Sequence, residues 1–108
     1  MSVLVDLSFE DQQVRAYVYE MYEVWFASDI AKVLGYHKTN DMTKLIGSDE
    51  VGTLLLQTDF GEQKIAVIST FGIFSVINRR QEPEIKRFKT WVMRMLIFMH
   101  RRIEGSPA

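Results

Sequence analysis

The sequence predicts an α+β domain: a small antiparallel sheet packed with short helices and one long amphipathic C-terminal helix. Three observations carry this prediction. Runs rich in β-formers come in neighbouring pairs separated by turn residues: Val14–Tyr19 with Val24–Ala27, and Val51–Thr58 with Lys64–Ile68. Short apolar segments at helical spacing lie between and after these pairs. From Ile85 to Ile103 one apolar stripe continues over about five turns.

Leu4–Phe9 is read as an edge strand ahead of the first pair, and Glu20–Glu23 as the turn inside that pair. Ser28-Asp29 is an N-cap signal for a helix over Asp29–Leu34, in which Ile30, Val33 and Leu34 share a face. Gly35 ends this helix, because a left-handed C′ residue is cheapest without a Cβ. Thr39-Asn40-Asp41 caps a second short helix through Met42, Leu45 and Ile46, which Gly47 stops. In the strand Val51–Thr58 the run Leu54-Leu55-Leu56 is expected to be the most buried part, and Asp59–Glu62 turns the chain back. Ser69-Thr70 caps a helix through Phe74, Val76 and Ile77. Gln81–Glu84 breaks it, and Pro83 with its flanking acids opens the last helix. The stripe of that helix is Ile85, Phe88, Val92, Met95, Leu96, Met99 and Ile103.

A chain of 108 residues is expected to form one domain, here over residues 1–105, with 106–108 as a tail or linker stub. The absence of cysteine excludes a disulfide framework and thiolate-bound metal, and fits a reducing compartment. The N-terminus shows no secretory pattern and no apolar run is long enough for a membrane span.

The net charge is −1, but it is unevenly spread. Residues 1–78 balance at −6 and residues 79–108 at +5. The basic set is Arg79, Arg80, Lys86, Arg87, Lys89, Arg94, Arg101 and Arg102. Phosphate binding needs several cationic donors on one surface. Arg79-Arg80 end one helix and Lys86, Arg87 and Lys89 begin the next, so a short bend can bring the two clusters together. A solvated helix face or an anionic protein partner would also account for them, and Arg101-Arg102 complement the dipole of the helix C-terminus.

Asp29–Ile46, two short helices around a glycine turn, suggests either a helix-turn-helix or a plain αα-hairpin on a sheet. Ala31 and Gly35 have the spacing of a helix-turn-helix contact, but Asp41 and Lys44 stand where its second helix would bury apolar residues. If this segment faces nucleic acid, Lys38, Thr39, Asn40 and Lys44 are the donors. Most aromatics lie on strands or apolar stripes and are expected in the core. Trp91, Phe98 and Tyr22 are the better candidates for exposed contacts, and Trp91, Phe98, Arg94, Arg101 and Arg102 for a self-association face. Catalysis has little support: His37 and His100 are the only histidines, and no metal, nucleophile or glycine-rich phosphate motif accompanies them. No cofactor is expected.

Three ordered blocks resemble a known family. Trp25-Phe26-Ala27-Ser28-Asp29-Ile30-Ala31-Lys32-Val33-Leu34-Gly35-Tyr36 is similar to the strand-to-helix segment of the Bro-N domain of viral BRO proteins and phage antirepressors. Ile68-Ser69-Thr70-Phe71-Gly72-Ile73-Phe74-Ser75-Val76-Ile77 resembles its next helix, and Pro83-Glu84-Ile85-Lys86-Arg87-Phe88-Lys89-Thr90-Trp91-Val92 the start of its last. Spacing and order agree over about Phe9 to Gly105. The resemblance implies an α+β domain that binds DNA, with single-stranded DNA or RNA as further candidates, and regulates transcription or replication. A homodimer, or a viral or host regulatory protein, is a candidate partner on a separate ground, the apolar last helix with Trp91 and Phe98 flanking its stripe. The location would be the host nucleus or cytoplasm for a eukaryotic virus, or the bacterial cytoplasm for a phage. The chain departs from the family in two ways. Its last helix runs on through Leu96, Ile97, Phe98 and Met99 where family members often carry a proline. Its first two helices hold only Lys32, Lys38 and Lys44 as cations.

Overall fold

The computed structural model describes residues 2–103 and side chains through Arg101, so the tail expected at 106–108 lies outside the described residues. The chain forms β1 (Val3–Phe9), β2 (Gln12–Val18), β3 (Glu23–Phe26), α1 (Ala27–Val33) and α2 (Thr39–Thr43). A 3-10 turn at Ser48–Glu50 leads to β4 (Val51–Thr58), β5 (Gly61–Ser69), α3 (Thr70–Ile77) and α4 (Pro83–Ile103). The five strands make one antiparallel sheet in the order β1-β2-β3-β5-β4. The chain leaves β3 through α1 and α2, enters the far edge at β4, and returns so that β5 pairs with β3. This is the predicted α+β architecture, with Leu4–Phe9 inside an edge strand as expected.

One sheet face carries the core. Val14, Ala16 and Val18 of β2, Trp25 of β3 and Ile68 of β5 meet Ile30 of α1, Ile73 and Val76 of α3, and Ile85, Phe88, Val92 and Met99 of α4. The three-and-four spacing of α4 therefore faces the sheet as predicted, with Met95 and Leu96 half-buried at its margin. The Ile103 side chain, also assigned to this stripe, lies outside the described ones.

Local chemistry accounts for the predicted helix ends. Gly35 sits at φ +81°, and the two hydrogen bonds Tyr36 N–H to Ala31 O (2.9 Å) and Gly35 N–H to Lys32 O (3.1 Å) complete a Schellman turn. Ser69 caps α3, its hydroxyl accepting from Gly72 N–H at 3.0 Å. Gly72 also lets α3 approach the segment after α2: a Cβ there would meet Ile46 Cγ2 at 3.2 Å. Pro83 is the first residue of α4.

Three expectations need correction. α1 starts at Ala27 after Phe26, with no side-chain cap, and Asp29 is a buried carboxylate inside the helix, only 4% exposed. It pairs with Arg15 of β2, through Nε at 2.8 Å, Nη2 at 2.9 Å and the backbone N–H at 2.9 Å. α2 is five residues long and turns Met42 inward, while Ile46 is buried just beyond it and Leu45 points out. Leu54-Leu55-Leu56 is not the buried centre of β4. Leu55 is 56% exposed and its neighbours are half-buried, because β4 is an edge strand and burial along the hairpin ends at Val67 and Ile68.

The β1–β2 turn has two central residues, Glu10 and Asp11, both at positive φ (47° and 69°). That is the pattern of a type I′ turn, which favours glycine at its second centre. Asp11→Gly is expected to stabilise the fold by about 0.5 kcal/mol, and Asp11→Val to destabilise it by about 1–2 kcal/mol, since a β-branched residue resists the left-handed region. Urea midpoints of the two variants measure both effects; a stabilised valine variant would contradict a strained turn.

Candidate nucleic-acid interface

The bend between α3 and α4 gathers part of the basic set. Arg80 reaches across it: its Nη1 donates to Leu34 O at 3.0 Å and its Nε to Glu82 at 2.9 Å, while its guanidinium lies 5.6 Å from the Tyr36 ring centre. Arg80 thereby satisfies a carbonyl at the end of α1 and ties the bend to the α1–α2 turn. The hydrogen bonds from Glu82's own backbone N–H and from the Arg80 guanidinium hold the Glu82 carboxyl below its usual range. Lys89 Nζ donates to Asn78 Oδ1 at 3.0 Å, which places it beside exposed Arg79 at the end of α3. Lys86 is exposed one turn before Lys89.

Arg87 faces the other way. It forks onto Glu10 of the β1–β2 turn, Nε at 2.8 Å from Oε2 and Nη2 at 3.1 Å from Oε1, and this pairing lowers the Glu10 pKa. Arg94 and Arg101 follow it at seven-residue steps, so the three share one flank of α4. Among the described residues, Arg79, Lys86, Arg94 and Arg101 are exposed and have no ion pair. The Arg102 side chain lies outside those described.

The predicted set is thus split between the α3–α4 bend and two flanks of α4, and two members serve the fold first. Arg80→Ala is expected to cost about 1–2 kcal/mol through lost hydrogen bonds, whereas Lys86→Ala should stay within about 0.5 kcal/mol. Thermal unfolding of the two proteins side by side distinguishes them, and equal midpoints would mean that Arg80 does not hold the bend. In the α1–α2 region Lys38 and Asn40 are exposed, and Lys44 lies 3.6 Å from Asp41.

The aromatics are arranged differently from expectation. Trp91 is half-buried: its ring stacks on Phe88 (centres 5.6 Å apart, 18° between planes) and tilts against Phe9 and Trp25. Phe98 and Tyr22 are exposed as expected, Tyr22 stacked on Tyr19 at 4.6 Å. Phe71, expected in the core, is 78% exposed at the start of α3, and Phe60 is exposed at the tip of the β4–β5 hairpin.

A polar chain at the other end of α4 escaped sequence reasoning. His100 Nε2 lies 2.6 Å from Glu23 Oε1, the other oxygen of Glu23 accepts from the Thr70 hydroxyl, and Thr70 Oγ1 accepts from Trp25 Nε1–H at 2.8 Å. The carboxylate sits between imidazole and hydroxyl, so His100 is not placed to take a proton from Thr70 and the chain acts as a clasp on the end of α4. No signal of spacing links residues 47 and 77 positions apart. Among the described residues no three histidine or acidic side chains gather in a way that would hold a metal ion, and no helix is long and apolar enough to cross a membrane.

An α+β domain whose antiparallel sheet joins a three-strand meander to a hairpin, with a short helix pair and a basic last helix, defines the class. The family model for the N-terminal domain of the BRO family, Bro-N, matches residues 13–97, and the chain belongs to that family. No match was found among curated proteins or among solved structures. The match takes in most of the sheet, α1, α2, α3 and most of α4, and its range contains all three blocks on which the resemblance was read.

Proposed function

We propose that this domain binds nucleic acid, mainly DNA, as a regulatory and non-catalytic part of a viral or phage protein. Contacts go chiefly to phosphates and discriminate little between sequences. Family membership supports the DNA-binding class. The observation that carries this reading is the set of exposed cations at the α3–α4 bend and along α4, namely Arg79, Lys86, Arg94 and Arg101, with half-buried Lys89 beside them. Phosphates lie at regular intervals along a duplex, so a rigid helix bearing cations at successive turns suits them without base contacts. Lys38, Asn40 and Lys44 contribute second, from α2 and its two ends, which follow the α1–α2 turn that Arg80 ties to the bend. Such a domain acts where viral or phage DNA is transcribed or replicated, in the host nucleus or cytoplasm or in the bacterial cytoplasm.

Fluorescence anisotropy of labelled duplex DNA, single-stranded DNA and RNA across a salt series tests this. For the duplex, three to five phosphate contacts correspond to a slope of about −3 to −5 in log K against log salt. Absence of binding to all three at low salt, from folded protein, would overturn the proposal. The second reading is homodimerisation or binding of a regulatory protein through α4, favoured by Met93, Ile97 and Phe98 exposed along its C-terminal half. Sedimentation that shows a concentration-independent monomer would remove the homodimer.

A further inference from the structure

We propose that the groove between the β1–β2 turn and α4 receives one unpaired base of a single-stranded nucleic acid, with Arg94 on the adjoining phosphate; this rests on the nucleic-acid reading above. The groove has a volume of 390 Å³ and is lined by Phe9, Glu10, Arg87, Thr90, Trp91 and Arg94. That is within the ~300–1,000 Å³ range of pockets for small organic groups, to which a single base belongs.

Its lining combines what a stacked nucleotide needs. Phe9 and Trp91 form the apolar part, and neither ring is free to turn. Phe9 is 6% exposed and meets Phe88 edge-on at 5.0 Å. Trp91 is held flat against Phe88 and braced by Phe9 and Trp25, yet remains half-exposed on the groove. A preorganised aromatic surface loses little entropy when it stacks on a base.

Charge then selects an anionic occupant. Glu10 would repel a phosphate alone, but the fork from Arg87 offsets it one for one. Arg94 is exposed and without an ion pair among the described residues, so the groove's lining has a net charge of +1. Glu84, outside the lining, is near enough to Arg87 to act on that guanidinium and makes no ion pair with Arg94. Arg101, two turns on, extends that charge along the direction a strand would follow. In a duplex the base faces are covered by their neighbours, so an apolar ring in a recess has no partner there. An unpaired base meets it directly.

The test compares, by anisotropy at low salt, a labelled single strand of about ten nucleotides with an abasic strand of the same length. The two carry the same phosphates. The wild-type domain is expected to bind the base-bearing strand about tenfold more tightly. Since Trp25 is fully buried, that strand should also quench the emission of Trp91, and the abasic strand should not. Trp91→Ala should abolish the preference while leaving abasic binding unchanged, Trp91→Phe should restore most of it, and Arg94→Ala should weaken both strands. If the alanine variant does not fold, the wild-type preference and quenching decide alone.

Equal wild-type binding of the two strands would overturn the groove assignment and leave the phosphate reading standing. So would a preference without quenching, or one that a folded Trp91→Ala protein keeps. Failure to bind either strand or a duplex would overturn the phosphate reading itself, and the groove with it.

Discussion

Arg15→Ala is expected to destabilise the domain by about 3 kcal/mol, the largest loss from any single charged side chain here. Asp29 is almost completely buried on α1, and among the described residues its three side-chain hydrogen bonds all come from Arg15. Truncation leaves the carboxylate with one backbone N–H in a site that water barely reaches. Removing one member of a buried ion pair costs about 3–5 kcal/mol, and the Arg15 side chain is 34% exposed, which lets solvent relax the site and favours the lower end. The guanidinium also lies 4.7 Å from the centre of the Phe26 ring, a contact that alanine forfeits. In urea the midpoint should fall with little change in slope, and a loss under about 1 kcal/mol would show that the pair does not anchor α1 to β2. The consequence reaches the interface, because α1 ends at the carbonyl that Arg80 holds. A domain loosened at Arg15 should therefore bind less well only once it begins to unfold.

That ion pair also marks the boundary of what the sequence makes legible. The α4 stripe could be read because burial there follows a period set by the helix itself, and Gly35, Ser69 and Pro83 because each acts on backbone groups within a few residues. Asp29 has the chemistry and position of a helix cap; what makes it a core carboxylate is Arg15, fourteen residues earlier on another element. The leucine run of β4 reads as a core strand by composition, yet its burial is decided by strand order, which places β4 at the edge. The basic character of residues 79–101 was equally plain, but not its division. Arg80 and Arg87 are engaged by Leu34 and Glu10, 46 and 77 positions away, and nothing local distinguishes them from Lys86 or Arg94. The groove escaped for the same reason, since Phe9 and Trp91 meet only when β1 is laid beside α4.

Simultaneous replacement of Lys86, Arg94 and Arg101 by alanine is expected to weaken binding to duplexes of any sequence by more than tenfold at low salt. It should flatten the salt dependence by about two to three units. These three are chosen because the fold does not use them: each is exposed, and none has an ion pair among the described residues. Their loss should leave stability within about 0.5 kcal/mol per site, so a fall in affinity can be assigned to the interface. Arg80 and Arg87 would not allow this, since their removal frees Glu82, Leu34 O or Glu10 as well as any phosphate. A matching pair, Lys38→Ala with Lys44→Ala, should flatten the slope by less than one unit, because Lys44 is partly engaged by Asp41 and the front of the chain is acidic. The comparison between the two sets locates the contact surface. If the α4 variant keeps its slope and the Lys38/Lys44 variant loses its own, the phosphate path runs over the α1–α2 turn, and the cations of α4 are a solvated helix face.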